Sequence, residues 1–212
     1  MTVILNQRRE TPIHRKKVAR IVRTNNWQLN RRPKGHRPRV KSWSFRCEAP
    51  NQRWAVDQTH FLCGKDGWCH LTAVIDCFTR QIVGWRLSGS GKAKVAVGAL
   101  EEAILSQDLQ RSHSLKLRSD NGLIFGARAF FREVRKHGIE QELLTPYTPE
   151  QNGMIERFFR SLKEECIYLH RFASRDDAFP VVAAWIDHYN QERPHSALSY
   201  LSPEEFVKRI SV

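Results

Sequence analysis

The chain's 212 residues, 41% of them apolar, suffice for one substantial hydrophobic core with an appendage. No apolar run approaches the roughly 20 residues that span a bilayer, and the N-terminus lacks a signal peptide's apolar centre, which argues against membrane and secreted classes. The formal charge of +13 sits almost wholly in residues 1–50, where 14 Lys and Arg face two Glu and the other 162 residues carry +1. That asymmetry is expected of a nucleic-acid-binding arm on a near-neutral body.

The leader divides in two. Residues 12–26 predict a short helix with Val18, Ile21 and Val22 on one side, so residues 1–27 read as a basic, nucleic-acid-binding helix region. Residues 28–50 turn to Arg, Pro, Gly and Lys without periodicity and read as an extended basic linker. Arg15, Lys16, Lys17 and Arg20 on the helix, and Arg31, Arg32 and Arg37 in the linker, are assigned to nucleic-acid phosphates. Trp27, Trp43 and Phe45 lie among these cations, placed to stack on bases or to pack on the body.

The body, residues 51–207, opens with strand-like runs at 53–61, 70–77 and 80–87, which predict an antiparallel meander. A helix over 92–107, a strand at 115–119, a helix at 127–137 and a strand at 139–144 follow. Their alternation predicts that the last two strands are parallel neighbours in a mixed α/β sheet. Next comes a helix with Thr148 as N-cap, Pro149 in its first turn and Gln151 completing a capping box. Its apolar stripe is Ile155, Phe158, Phe159, Leu162, Cys166 and Leu169, and Glu156, Arg160 and Lys163 line the opposite face. A further helix over 175–190 should kink at Pro180. Five cysteines, odd in number and without a CxxC pair, indicate reduced thiols packed as small apolar groups.

Three carboxylates stand out. Asp57 interrupts what should be a central strand, where an acid is costly unless paired or bound to a metal. Asp120 closes a strand of the parallel pair, and ligands usually sit at such carboxyl ends. Glu156 lies on the helix packed over the sheet. Convergence of the three would suit two Mg2+ ions, with Mn2+ as a substitute, in an in-line phosphoryl displacement.

WAVDQTH, RSDNG and QNGMIERFFRSLKEE, with 35 residues between Asp120 and Glu156, resemble the DDE core of retroviral integrases and bacterial insertion-sequence transposases. AVIDCFTRQIVGW and HYNQERPHSALSYLSPEEF resemble the second-reading-frame transposase of the large frameshift-fused insertion-sequence group. The resemblance implies a ribonuclease-H-like fold and metal-dependent DNA cleavage and strand transfer, with Asp57, Asp120 and Glu156 as the catalytic, metal-binding triad. It also implies DNA partners at element ends and target, a homo-oligomer on DNA, an upstream reading-frame product, and work at the cytoplasmic nucleoid. Arg157, Arg160 and Lys163 are assigned to the DNA backbone. A non-catalytic DNA-binding remnant and a ribonuclease-H-type nuclease are the alternative functions.

Other residues carry less. A turn centred between residues 65 and 66 would pair Asp57 with Val74 and turn Asp76 to the same face; Asp76 also starts a turn and is read as structural. His60, His188 and His195 are read as packing or docking residues. The upstream helix-turn-helix of the frameshift-fused group is matched here only by its last helix, 12–26.

Overall fold

A computed structural model describes residues 1–28, 47–109, 114–144 and 152–211. Most of the linker, including Arg31, Arg32, Arg37, Trp43 and Phe45, lies outside these residues, as do Thr148, Pro149 and Gln151.

The body is a five-stranded sheet: β1 (Arg53–Leu62), β2 (Trp68–Asp76), β3 (Ile82–Ser88), β4 (Lys116–Ser119) and β5 (Glu140–Leu143). The spatial order is β3-β2-β1-β4-β5, so β1 is central. It pairs antiparallel with β2 and parallel with β4, and β4 pairs parallel with β5. The predicted meander and parallel pair are both present.

Helices cover both faces. Trp54, Val56, Val74, Leu115 and Leu117 pack beneath α3 (Ala93–Ser106) and α4 (Arg128–Lys136). Ala55, Leu71, Ala73 and Ile75 pack beneath α5 (Gly153–Glu165) and α6 (Arg175–Gln191). With both faces buried, the central strands need apolar residues at consecutive positions, and Asp57 breaks that run. The C-terminal α7 (Pro203–Ile210) starts from a full capping box in which Ser202 and Glu205 exchange hydrogen bonds with each other's backbone N–H.

Several expectations need correction. The β1–β2 connection is a 3-10 turn, Gly64–Asp66, centred on Lys65. Asp57 therefore faces Ala73, not Val74, and Asp76 faces Trp54. A slip of one residue exchanges the two faces, so Asp57 and Asp76 lie on opposite sides of the sheet. The stripe on α5 buries Ile155, Phe158, Phe159 and Leu162, with Cys166 just beyond, but the helix stops at Glu165 and Leu169 is 71% exposed. Helix α6 runs on through Pro180, whose missing N–H costs a single bond to the Asp176 carbonyl.

The leader holds two short helices, α1 (Thr2–Gln7) and α2 (Arg15–Thr24), of which the sequence pattern predicted only the second. Asn6 joins them: its side-chain oxygen accepts from the Ile13 N–H at 2.8 Å and its amide donates to the Ile13 carbonyl at 3.2 Å. On α2, Val18 is buried, whereas Arg15, Lys16, Lys17 and Arg20 face solvent. No helix among the described residues is long and apolar enough to cross a membrane.

Candidate active site

The sheet directs Asp57 and Asp120 toward the face on which α5, the helix carrying Glu156, packs. Asp57 projects from the middle of β1 toward the layer of α5 and α6, sharing a face with Ala55, Ala73 and Ile75. Across the parallel pairing, Ala55 lies opposite Arg118. Asp120, two residues beyond Arg118 at the end of β4, therefore continues toward the same face. Its Oδ1 accepts from the Gly122 N–H at 2.9 Å, which fixes the carboxylate at the start of the turn. Glu156 lies in the first turn of α5, where the helix dipole favours an anion.

Electrostatics link the three. Burial pushes the Asp57 carboxyl up to about 7, and the charges of Asp120 and Glu156 push the same way. The Gln58 N–H, which donates to Asp57 Oδ1 at 2.7 Å, and the Lys163 ammonium oppose the rise. Asp57 is thus a desolvated carboxylate beside two others and one lysine. This is an all-oxygen donor set with excess negative charge, which fits a hard divalent cation. Among the described residues no three His, Cys, Asp or Glu side chains form a ready-made metal cage.

The remaining predicted residues separate. Lys163 acts on Asp57, and Arg160 is exposed. Arg157 points away from both, into a pocket on the flank of α5. His60 is not at the site: it pairs with His70 on the face opposite Asp57, and Trp68 packs edge-on against it at 4.9 Å. His188 is exposed beside Glu192. Asp76 is structural, since its Oδ1 accepts from the N–H groups of Phe78 and Thr79 and its Oδ2 from that of Asn51.

Two supporting contacts had no sequence signal. The Asn190 side chain of α6 accepts from the Ile82 N–H and donates to the Ile82 carbonyl, closing the outer edge of β3 like an added strand residue. Glu142 on β5 binds Arg53 of β1 at 2.8 Å and Arg118 of β4 at 3.2 Å, tying three strands next to Asp120. All five cysteines are free thiols, four of them buried.

Two family models, each described as integrase core domain, match residues 48–149 and 137–203. A protein of an insertion element of Xanthomonas euvesicatoria, IS476, is 31% identical over 92% of this chain and 56% of its own length. The transposase InsF for insertion sequence IS3A of Escherichia coli is 32% identical over 78% of this chain and 57% of its own length. The chain thus spans a little over half the length of these relatives. Among solved structures, a chain of the simian T-cell lymphotropic virus intasome superposes with a TM-score of 0.64 at 20% identity, covering 82% of this chain and 60% of that one. The catalytic core domain of BIV integrase does so at 0.53 and 21%, covering 76% and 97%. Both share the ribonuclease-H-like fold, which fixes the fold of this chain.

Proposed function

The chain belongs to the integrase core family, and from that premise we propose that it is the catalytic portion of an insertion-sequence transposase. It cleaves DNA at element ends and joins them to target DNA. The observation that carries this reading is the electrostatic convergence on Asp57. Asp120 at a strand end and Glu156 in the first turn of a packed helix both act on the half-buried Asp57 carboxyl at the sheet centre.

In this reading Asp57, Asp120 and Glu156 hold the divalent cations, two Mg2+ with Mn2+ as a substitute. Such cations supply Lewis acidity at a phosphodiester. In cleavage, water forms a bond to phosphorus and the bond to the 3′-oxygen breaks, leaving a 3′-hydroxyl and a 5′-phosphate. In joining, that hydroxyl bonds to a target phosphorus and the target's own 3′-oxygen departs. The burial of Asp57 lowers the local dielectric, so its charge and that of Lys163 act more strongly than in water. The exposed cations of α2 and Arg160 neutralise backbone phosphates and hold the duplex in register. Two or more copies, together with the upstream reading-frame product, assemble on paired ends at the nucleoid.

The test is Asp120→Asn and Glu156→Gln, assayed for cleavage and joining of a supplied end duplex in Mg2+. Each should abolish both steps while duplex binding stays within a few-fold, because the phosphate-contacting cations remain. Retention of most joining activity by either variant overturns the assignment.

A further inference from the structure

Helix α5 has a second charged flank. At 100° per residue, Glu156, Arg160 and Lys163 occupy one arc, and Glu164, Arg157 and Ser161 continue round the helix from it. This second arc lines a pocket of about 550 Å³, whose other walls are Arg80 in the β2–β3 turn and Arg193 and His195 beyond α6. Three guanidinium groups from three separate segments therefore reach one pocket.

The groups differ in how far they are already engaged. Arg193 is bound fork-to-fork by Glu165, through Nε at 3.1 Å and through Nη2. Among the described residues Arg80 and Arg157 form no ion pair, so two guanidinium charges are open to an incoming anion. Arg80 is held in the left-handed region, φ 65°, where the turn after Asp76 aims it toward His195 and Tyr189. His195 packs edge-on against Tyr189 at 4.8 Å, and its Nε2 is buried without a hydrogen-bond partner. Burial and the two arginines hold this ring neutral. It therefore brings no further cation to the pocket. Two open guanidiniums match the non-bridging oxygens of a single phosphate.

We propose that this pocket binds a backbone phosphate of the DNA strand whose reacting phosphate lies at the carboxylates, with Arg80 and Arg157 as its ligands. The choice of DNA rests on the transposase reading. The two arcs are adjacent on a helix about 10 Å wide. A strand rising about 3.4 Å per nucleotide crosses that width in about three nucleotides. Arg157 is thus assigned to a specific clamp rather than to the general run of phosphate contacts.

The experiment uses the full chain in EDTA, so that binding is read without catalysis. Labelled duplex is titrated by fluorescence anisotropy over a KCl series with wild type, Arg80→Gln, Arg157→Gln and the double variant; Arg132→Gln on the distant α4 is the control. The double variant should bind at least tenfold more weakly and flatten the slope of log K against log salt by about 1, the value for one phosphate contact. A duplex set carrying one neutral methylphosphonate at successive positions then locates the contact. One position should weaken wild type and leave the double variant indifferent. Unchanged slope, equal flattening by Arg132→Gln, or the absence of a coupled position overturns the proposal. So does a change in oligomeric state on its own, which would make this face a contact between copies. Failure of the carboxylate assignment would appear instead as activity retained by Asp120→Asn, with these binding results untouched.

Discussion

Asp57 and Asp76 sit on adjacent strands but on opposite faces of the sheet, opposite Ala73 and Trp54 respectively. The two acids consequently meet different chemistry. Asp76 is saturated by backbone N–H groups and closes a turn. Asp57 receives one backbone hydrogen bond from Gln58 and otherwise faces burial, two carboxylates and a lysine.

That environment makes Asp57 a cost to the fold. Its carboxyl titrates at about 7 in the native state against an ordinary 3.8. Between those values the native protein holds a proton that the unfolded chain has lost. Stability from this group therefore falls as pH rises from about 4 to about 7, and stays low above. Asp57→Asn should be more stable than wild type at pH 8, by roughly 2–4 kcal/mol, and about equal to it at pH 4. Adding Mg2+ should recover part of that difference for wild type and none for the variant. Paired urea melts at pH 4 and pH 8 read the result directly. An Asp57→Asn advantage that does not change between the two pH values would remove the raised carboxyl from the account.

A second prediction concerns how closely α3 lies on the sheet. A Cβ added at Gly84 of β3 would fall 2.5 Å from the backbone nitrogen of Ala103 and clash with the Ala99 carbonyl oxygen. These are helix backbone atoms, which cannot swing aside. Gly84→Ala should cost about 1–3 kcal/mol or more by lifting α3. Gly153, at the start of α5, has nothing within 4 Å of its added Cβ and no positive φ. Gly153→Ala should be neutral or stabilising by up to about 1 kcal/mol. Thermal melts that put the two substitutions on the same side of wild type would contradict the packing described.

The sequence made some of this visible and hid the rest for physical reasons. Asp57 was conspicuous because a carboxylate in a two-sided buried strand violates the pattern its neighbours set. The stripe on α5 was legible through Leu162 because 3.6-residue periodicity governs a helix, and it failed at Leu169 because the helix had ended. The β1–β2 register was misjudged by one residue. Gly64, Asp66 and Gly67 are good turn residues in several turn types, and only the 3-10 geometry centres the turn on Lys65. The meeting of Arg80, Arg157 and Arg193 had no local signal, since the three are brought together by the packing of α6 against the sheet. Asn190 was hidden for the same reason, as its partner Ile82 is 108 residues away.

Cysteine reactivity gives a third prediction. The neighbouring Cys77 thiol and the charges of Arg53 and Arg118 lower the Cys47 thiol to about 7 against the opposing effect of burial. Cys47 is half-buried, while Cys63, Cys69, Cys77 and Cys166 are buried, and Cys63 is pushed up to about 12. Iodoacetamide should modify Cys47 first, with a rate that rises through a midpoint near pH 7 and levels above it. Cys77→Ala removes the largest stabilising contact on the thiolate and should move that midpoint toward 9. Mass spectrometry of tryptic peptides over a pH series reads both. A midpoint unmoved by Cys77→Ala would show that the two sulfurs are not paired.

The final prediction separates the leader from the body. The cations of α2 face solvent, and among the described residues neither α1 nor α2 packs extensively on the sheet. Deleting residues 1–46 should therefore leave the body folded, with a melting temperature within about 2 °C of the parent, a shift equivalent to about 0.5–1 kcal/mol. DNA affinity should drop sharply, because 14 Lys and Arg leave with the segment. If about six of them meet phosphates, the plot of log K against log salt flattens by about 5. The slope that remains belongs to the body, and Arg80→Gln with Arg157→Gln in the shortened chain should lower it by about 1 more, since the two sites use separate phosphates. An unchanged salt slope after the deletion would make the leader a solubilising tail. A fall of many degrees in melting temperature would instead mean that the leader packs into the core, with α2 fixed by more than its buried Val18.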